Sequence, residues 1–211
     1  MHRLLQILFP GGNEAGVGSL IFRIALWSGL ATYSLRYFRV HWVQLGFEPG
    51  WMHHVHLVFH EAGHALTMLV TDHQPTIAFM GTGMQVLFPL VVALAFYLVN
   101  RDAFGAGVGL WWAGHATLDS APYIGDARAL NLPLITGGTG KEVGGHDWLY
   151  LLQHWGILDW DTRIADHVAR SGKLIMLFGL AWALAAIGFI LLQRAGRSTE
   201  APQTEAPPEP S

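Results

Sequence analysis

The chain has 211 residues, of which 52% are hydrophobic and only 13% are charged, and its net charge is −3. A typical soluble domain is about 25% charged, so the composition predicts an integral membrane protein, of a length that suits one compact domain. The small negative charge argues against nucleic acid as a partner, and the absence of cysteine excludes disulfides, thiolate metal sites and cysteine nucleophiles.

Five segments are apolar over roughly the 20 residues that a spanning helix needs. In chain order they are residues 17–38, 51–71, 79–99, 104–121 and 173–193. Between the last two, residues 148–158 are too short to span and predict a re-entrant or interfacial helix, and residues 159–171 predict a polar surface helix. We therefore expect an all-α, polytopic transmembrane helix bundle of about five spans plus the short helix.

The same pattern predicts how the chain is divided. We expect residues 1–194 to form a single membrane-embedded domain. Residues 195–211 are rich in Pro, Glu, Thr and Ser, which predicts a disordered C-terminal tail. We expect the protein to lie in a lipid bilayer, and the bacterial inner (plasma) membrane is its expected location.

The second predicted span contains His60-Glu61-Ala62-Gly63-His64, which is an H-E-x-x-H motif. Residues i and i+4 share one face of a helix, so His60 and His64 can point at one metal ion. Glu61 can hold or deprotonate a water bound to that metal. A purely structural polar cluster is the alternative, but burying such groups unpaired costs several kcal/mol. The motif therefore predicts zinc-assisted hydrolysis inside an apolar environment.

The motif belongs to a longer polar stripe on the same helix. At about 100° per residue, four histidines fall within roughly 80° of arc, and Thr67 and Thr71 continue the stripe: His53, His56, His60 and His64. A polar stripe on a membrane helix must face the protein interior or water. It predicts a polar path leading to the motif, with His54 outside it.

A catalytic zinc site takes three protein ligands and one open position, so a third ligand must come from another segment. Asp119, near the end of the fourth predicted span, is the first candidate, followed by Asp126 and His146. Asp126 could instead pair with Arg128. Asp147 could simply cap the short helix that follows it.

The third predicted span opens with Gly81-Thr82-Gly83-Met84. Small residues at this position allow two helices to approach closely. The alternative interpretation is an exposed backbone that pairs with an unwound substrate strand. The pattern favours the packing role.

The H-E-x-G-H helix, the Gly-containing span after it and Leu118-Asp119 near a later helix end resemble the site-2 protease class of integral-membrane zinc metallopeptidases. The resemblance covers residues 60–126. It implies that His60, His64 and Asp119 hold Zn²⁺ within the membrane and that Glu61 activates water. The expected function is that of a zinc-dependent intramembrane endopeptidase acting on membrane proteins or peptides. Asp119 is followed by Ser120, where that family has Gly, which marks a divergent member.

Two other functions stay open from the sequence. Membrane di-iron oxidases and hydroxylases use many histidines, and a comparable set is His53-x-x-His56 and His60-x-x-x-His64 with His115, His146 and His154. No second clear histidine box accompanies the first, however. The polar stripe could also form a metal-ion or proton pathway, although a transporter needs ionisable residues in several spans, and outside the second span only Arg23 and the Asp119 region supply them.

Overall fold

The computed structural model describes residues 2–10, 16–135 and 137–200. The helices, in chain order, are α1 (His2–Leu8), α2 (Val17–Arg39), α3 (Trp42–Phe47), α4 (Trp51–Met68), α5 (Gln74–Leu98), α6 (Ala103–Gly125), α7 (Gly140–Val143), α8 (Asp147–His154) and α9 (Asp161–Glu200), with a 3-10 turn at Leu158–Trp160. Apart from an isolated bridge between Pro133 and Thr139, these ranges contain no β structure. The predicted all-α fold is confirmed.

The helix boundaries follow the predicted segments except near the C-terminus. The predicted surface helix 159–171 and the predicted span 173–193 form one continuous helix, α9. No proline interrupts the junction, and Gly172 lies inside the helix, where it packs against α6. Helix α9 continues to Glu200, into the segment for which a disordered tail was predicted. Residues 201–211 lie outside the described residues.

Two helices in the described ranges are long and apolar enough to cross a membrane: Gln74–Leu98 and the helical segment Leu158–Gly196. The other three predicted spans do not meet the same combination of length and hydropathy. The histidines of α4, the glycines of α6 and the Arg and Ser residues of α2 lower their mean hydropathy. Length and hydropathy therefore do not support five spans.

Helix α6 is the centre of the molecule and is buried over most of its length. It packs most extensively against α9 and also against α5 and α3. Glycines make the α6–α9 contact close: a Cβ added to Gly114 or Gly179 would collide with the backbone of the facing helix. Small residues at a helix interface allow this backbone-to-backbone approach.

Helix α4 packs against α5 through a glycine of the H-E-x-x-H motif. A Cβ added to Gly63 would collide with the carbonyl group of Met80 on α5. The glycine therefore brings the α5 backbone directly against the motif. This contact explains why the fourth residue of the motif is small.

Arg23, a charge inside the first predicted span, is paired in the structure. Its Nη1 atom lies 2.8 Å from Oδ1 of Asp102. Asp102 is also the N-cap of α6, where its Oδ1 accepts a hydrogen bond from the backbone N–H of Phe104 at 3.0 Å. One carboxylate thus ties α2 to the start of α6.

Candidate metal centre

Three ligand atoms from α4 and α8 converge at the motif. The Nε2 atoms of His60 and His64 each lie 3.2 Å from Oδ2 of Asp147, and the three residues can place their ligand atoms within 4.8 Å of one another. A tetrahedral zinc ion with Zn–N distances of about 2.0–2.1 Å separates neighbouring ligand atoms by roughly 3.3 Å. The two distances from the imidazole nitrogens to the carboxylate oxygen, 3.2 Å each, fit such an ion.

The opposite ring nitrogens of both histidines have their own partners. His64 Nδ1 lies 2.9 Å from the backbone carbonyl of Ile77, and His60 Nδ1 lies 3.4 Å from Oε1 of Gln85. Metal-binding histidines commonly donate their second N–H to such an acceptor. A neutral imidazole that donates through Nδ1 carries its lone pair on Nε2. Two lone pairs then face a carboxylate oxygen, an arrangement that a cation between them would stabilise.

Asp147 is the first residue of α8, and its carboxylate is free to face the histidines because His146 caps the helix. His146 Nδ1 accepts the backbone N–H of Leu149 at 3.2 Å. The hydroxyl of Tyr123 donates to Asp147 Oδ2 at 3.2 Å and accepts the Asp147 N–H at 3.0 Å. These two hydrogen bonds and the histidine cap of α8 hold the Asp147 carboxylate toward the two imidazoles.

Asp119, the predicted third ligand, lies elsewhere on the polar stripe. Its Oδ2 is 3.0 Å from Nδ1 of His53 and 3.1 Å from Nδ1 of His56. It also accepts a hydrogen bond from Gln85 Nε2 at 3.2 Å. His53 precedes His60 by two helical turns, roughly 10 Å along the axis. The structure therefore brings Asp119 to the earlier histidines and Asp147 to the motif.

The two alternative third ligands have structural partners of their own. Asp126 accepts the backbone N–H groups of residues 131–132, each at 2.9 Å. His146 is the cap of α8. The predicted pairing of Asp126 with Arg128 is wrong, because Arg128 forms an ion pair with Asp161 at 2.6 Å. Asp126 fixes the turn after α6 instead.

The polar stripe faces the interior, as predicted. His56, His60 and Thr67 are buried, whereas His54 is exposed. His115 is also buried, with its ring centroid 5.1 Å from that of His56. The earlier histidines of the stripe thus lie against α6 and the motif histidines against α5, and most of the stripe is shielded from the surroundings of the protein.

A cavity of about 550 Å³ opens beside the metal centre. Glu61 lines it together with His60, His64 and Asp147 and is itself exposed. Gly81 of α5 leaves room at the ligand atoms, because a Cβ there would lie 2.5 Å from His64 Nε2 and 2.6 Å from His60 Nε2. The close approach predicted for the Gly81 region is therefore an approach to the histidines themselves.

Three residues at this centre were not predicted as functional. Gln85 carried a detectable signal, since a polar residue inside an apolar span is expected to have a specific role. Asp147 was considered only as a helix cap, and nothing in the local sequence points from Tyr123 to the motif. Both reach the site through tertiary packing of segments far apart in the chain.

No protein-family model matches the chain, and comparisons with curated proteins and with solved structures give no significant match. Conclusions about function therefore depend on the residues and distances of the candidate metal centre.

Proposed function

We propose that the protein is a zinc-dependent intramembrane endopeptidase in which His60, His64 and Asp147 hold the metal. The observation that carries the proposal is the convergence of two imidazole Nε2 atoms and a carboxylate oxygen at 3.2 Å. The reaction class is the one implied by the resemblance to site-2 proteases. Asp147 takes the ligand position that the resemblance gives to Asp119.

The proposed chemistry divides between the metal and one glutamate. A zinc ion would polarise the scissile carbonyl and lower the pKa of a water toward 7. Glu61 accepts the proton of the attacking water and passes it to the leaving amine. Its place in the cavity beside His60 and His64 supports this role. Tyr123 orients the Asp147 carboxylate through its hydroxyl.

The walls of the cavity support an apolar peptide as substrate. Apolar side chains from three regions of the chain line it beside the metal centre: Leu57, Met68, Leu134, Ile135 and Val143. A membrane-associated segment offers matching apolar side chains. Such a segment must unwind before cleavage, because the peptide bonds of a helix are shielded. The proposed substrates are therefore membrane proteins or peptides that present an extended apolar stretch.

Apolar side chains on the outside of the bundle support a location inside the bilayer. On α2, Ile21 and Phe22 are 62% and 64% exposed, and on α9 Leu174 is 67% exposed. Large exposed apolar surfaces mark contacts with lipid or protein. We propose that α2, α4 and α6 cross the membrane together with α5 and α9, giving five spans with α8 as a re-entrant helix. The bacterial inner membrane is the proposed location.

The test of the proposal is a substitution that removes the base and keeps the ligands. We expect Glu61→Gln to retain zinc and to lower cleavage at least about 100-fold, because general-base catalysis contributes about 10²- to 10⁴-fold. Glu48→Gln, at a surface glutamate outside the cavity, is the control and keeps full activity. Cleavage of quenched-fluorescence apolar peptides in proteoliposomes is the measurement. Wild-type cleavage by Glu61→Gln would contradict the proposal.

A membrane di-iron oxidase is the second candidate. It is favoured by the group formed by Asp119 with His53 and His56, which supplies further metal-ligating side chains one to two helical turns before the motif. Iron near two atoms per purified chain would support this chemistry. Zinc near one atom per chain supports the endopeptidase.

A further inference from the structure

We infer that Gln85 and Asp119 are positioning residues that hold His60 in the tautomer able to bind metal. The inference rests on the proposed metal centre and assigns Asp119 a role one step removed from it. It follows from a hydrogen-bonded chain that runs from the motif to the earlier part of the polar stripe. The links are His60 to Gln85, Gln85 to Asp119, and Asp119 to His53.

The orientation of the Gln85 amide is set by its neighbours on α6. Gln85 is buried, and its Nε2 donates to the backbone carbonyl of Ala116 at 3.1 Å and to Asp119 Oδ2 at 3.2 Å. A carbonyl oxygen can only accept a hydrogen bond. The amide nitrogen must therefore face α6, and the amide oxygen must face His60.

The proton of the His60 ring has two possible acceptors. Amide and carboxylate oxygens both only accept, so Gln85 Oε1, 3.4 Å from Nδ1, and Asp147 Oδ2, 3.2 Å from Nε2, compete for the proton of a neutral ring. Gln85 favours the proton on Nδ1, which leaves the lone pair on Nε2 for a metal ion. Without Gln85, a buried neutral imidazole gains by donating through Nε2 to Asp147, which blocks the ligand position.

Asp119 is itself fixed in position by two histidines of α4. Both of its carboxylate oxygens lie within 3.1 Å of His53 Nδ1, and Oδ2 also lies 3.1 Å from His56 Nδ1. Its side chain is only 12% exposed. These neighbours fix the carboxylate against α4, where it can anchor the Gln85 amide. Asp119 thus acts on the metal centre through Gln85.

The experiment is a double-mutant cycle with zinc affinity as the readout. Zinc is titrated against a competing chelator for wild type, Gln85→Leu, Asp119→Ala and the double variant. We expect each single substitution to weaken zinc binding about 10- to 100-fold, as loss of an orienting partner does. The double variant should be no weaker than Gln85→Leu, because Asp119 acts only through the amide. The controls Gln153→Leu and Asp72→Ala, at exposed residues, should bind as wild type does.

A spectroscopic readout separates positioning from a general effect on stability. In metal-free wild-type protein labelled with ¹⁵N-histidine, the His60 signal should be that of the Nδ1–H tautomer. Gln85→Leu and Asp119→Ala should both shift it toward Nε2–H, and the control Gln153→Leu should leave it unchanged. A wild-type signal from Nε2–H, or from a ring protonated on both nitrogens, would overturn the inference without any variant having to fold.

The outcomes distinguish this inference from the proposed function. If the losses of zinc affinity in the two single variants add up in the double variant, Asp119 contributes independently, for example as a ligand. That result would overturn the inference. Unchanged zinc affinity in Gln85→Leu would overturn it as well. If wild-type protein shows the Nδ1–H tautomer but binds no zinc, the metal centre is refuted. The role of Gln85 in fixing the His60 tautomer would still be supported.

Discussion

At the scale of single residues, the two histidines of the motif could be predicted from the sequence, but the third proposed ligand could not. The spacing of His60 and His64 places both on one helix face, and a local pattern is sufficient to show it. The proposed third ligand, Asp147, depends on where α8 docks against α5 and α6, which no local pattern encodes. Asp119 and Asp147 are both carboxylates near helix ends, so only the three-dimensional structure separates their neighbours.

Tyr123 supports the Asp147 carboxylate, and its removal should weaken the metal centre. We expect Tyr123→Phe to lower zinc affinity about 10-fold, because the hydroxyl both donates to Oδ2 and accepts the Asp147 N–H. Tyr150→Phe, at an exposed tyrosine of α8, is the matched control. Competitive zinc titration is the measurement. Equal affinities for the two variants would contradict the role given to the hydroxyl.

At the scale of helices, glycines decide how closely the elements approach. The sequence predicted the positions of α2, α4, α5 and α6, because their apolar runs are bounded by polar residues. It predicted a break between residues 171 and 173 where α9 is continuous. The composition changes from polar to apolar at this point because the surroundings of the helix change. The backbone hydrogen bonds of the helix continue without interruption.

The α5 backbone at Gly81 should tolerate no side chain if the metal centre is to form. A methyl group there would lie 2.5–2.6 Å from the Nε2 atoms of His60 and His64, so we expect Gly81→Ala to abolish zinc binding. Gly83→Ala is the control, because its added methyl meets the flexible Met80 side chain at 3.2 Å and the Phe79 ring at an ordinary contact distance of 3.7 Å. Elemental analysis of both variants is the measurement. Full zinc content in Gly81→Ala would contradict the geometry.

The contact between α6 and α9 should be equally sensitive to a methyl group. We expect Gly179→Ala to destabilise the fold by about 1–3 kcal/mol, since the methyl would collide with the α6 backbone at Trp111. Gly188→Ala on the same helix meets nothing within 4 Å and should stabilise by up to about 1 kcal/mol. Thermal unfolding in detergent measures both. A shift of the unfolding temperature in the same direction for both variants would contradict the close packing of α6 against α9.

At the scale of the whole molecule, composition was the strongest guide. The low charge content and apolar runs predicted an all-helical membrane protein; the all-helical fold is observed, and two of its helices are long and apolar enough to cross a membrane. The number of spans was harder to predict, because the histidines of α4 and the glycines of α6 lower the hydropathy of these two helices. Residues of the candidate site and of the helix contacts thus weaken the signal from which spans are predicted.

The central claim is that His60, His64 and Asp147 hold one metal ion. The most direct measurement is elemental analysis of purified wild-type protein beside His60→Ala, Asp147→Ala and Asp119→Ala, each equilibrated with excess zinc. We predict about one zinc per chain in wild type and Asp119→Ala, and a content well below one in His60→Ala and Asp147→Ala. Zinc retained in Asp147→Ala but lost in Asp119→Ala would contradict the claim and return the third ligand to Asp119.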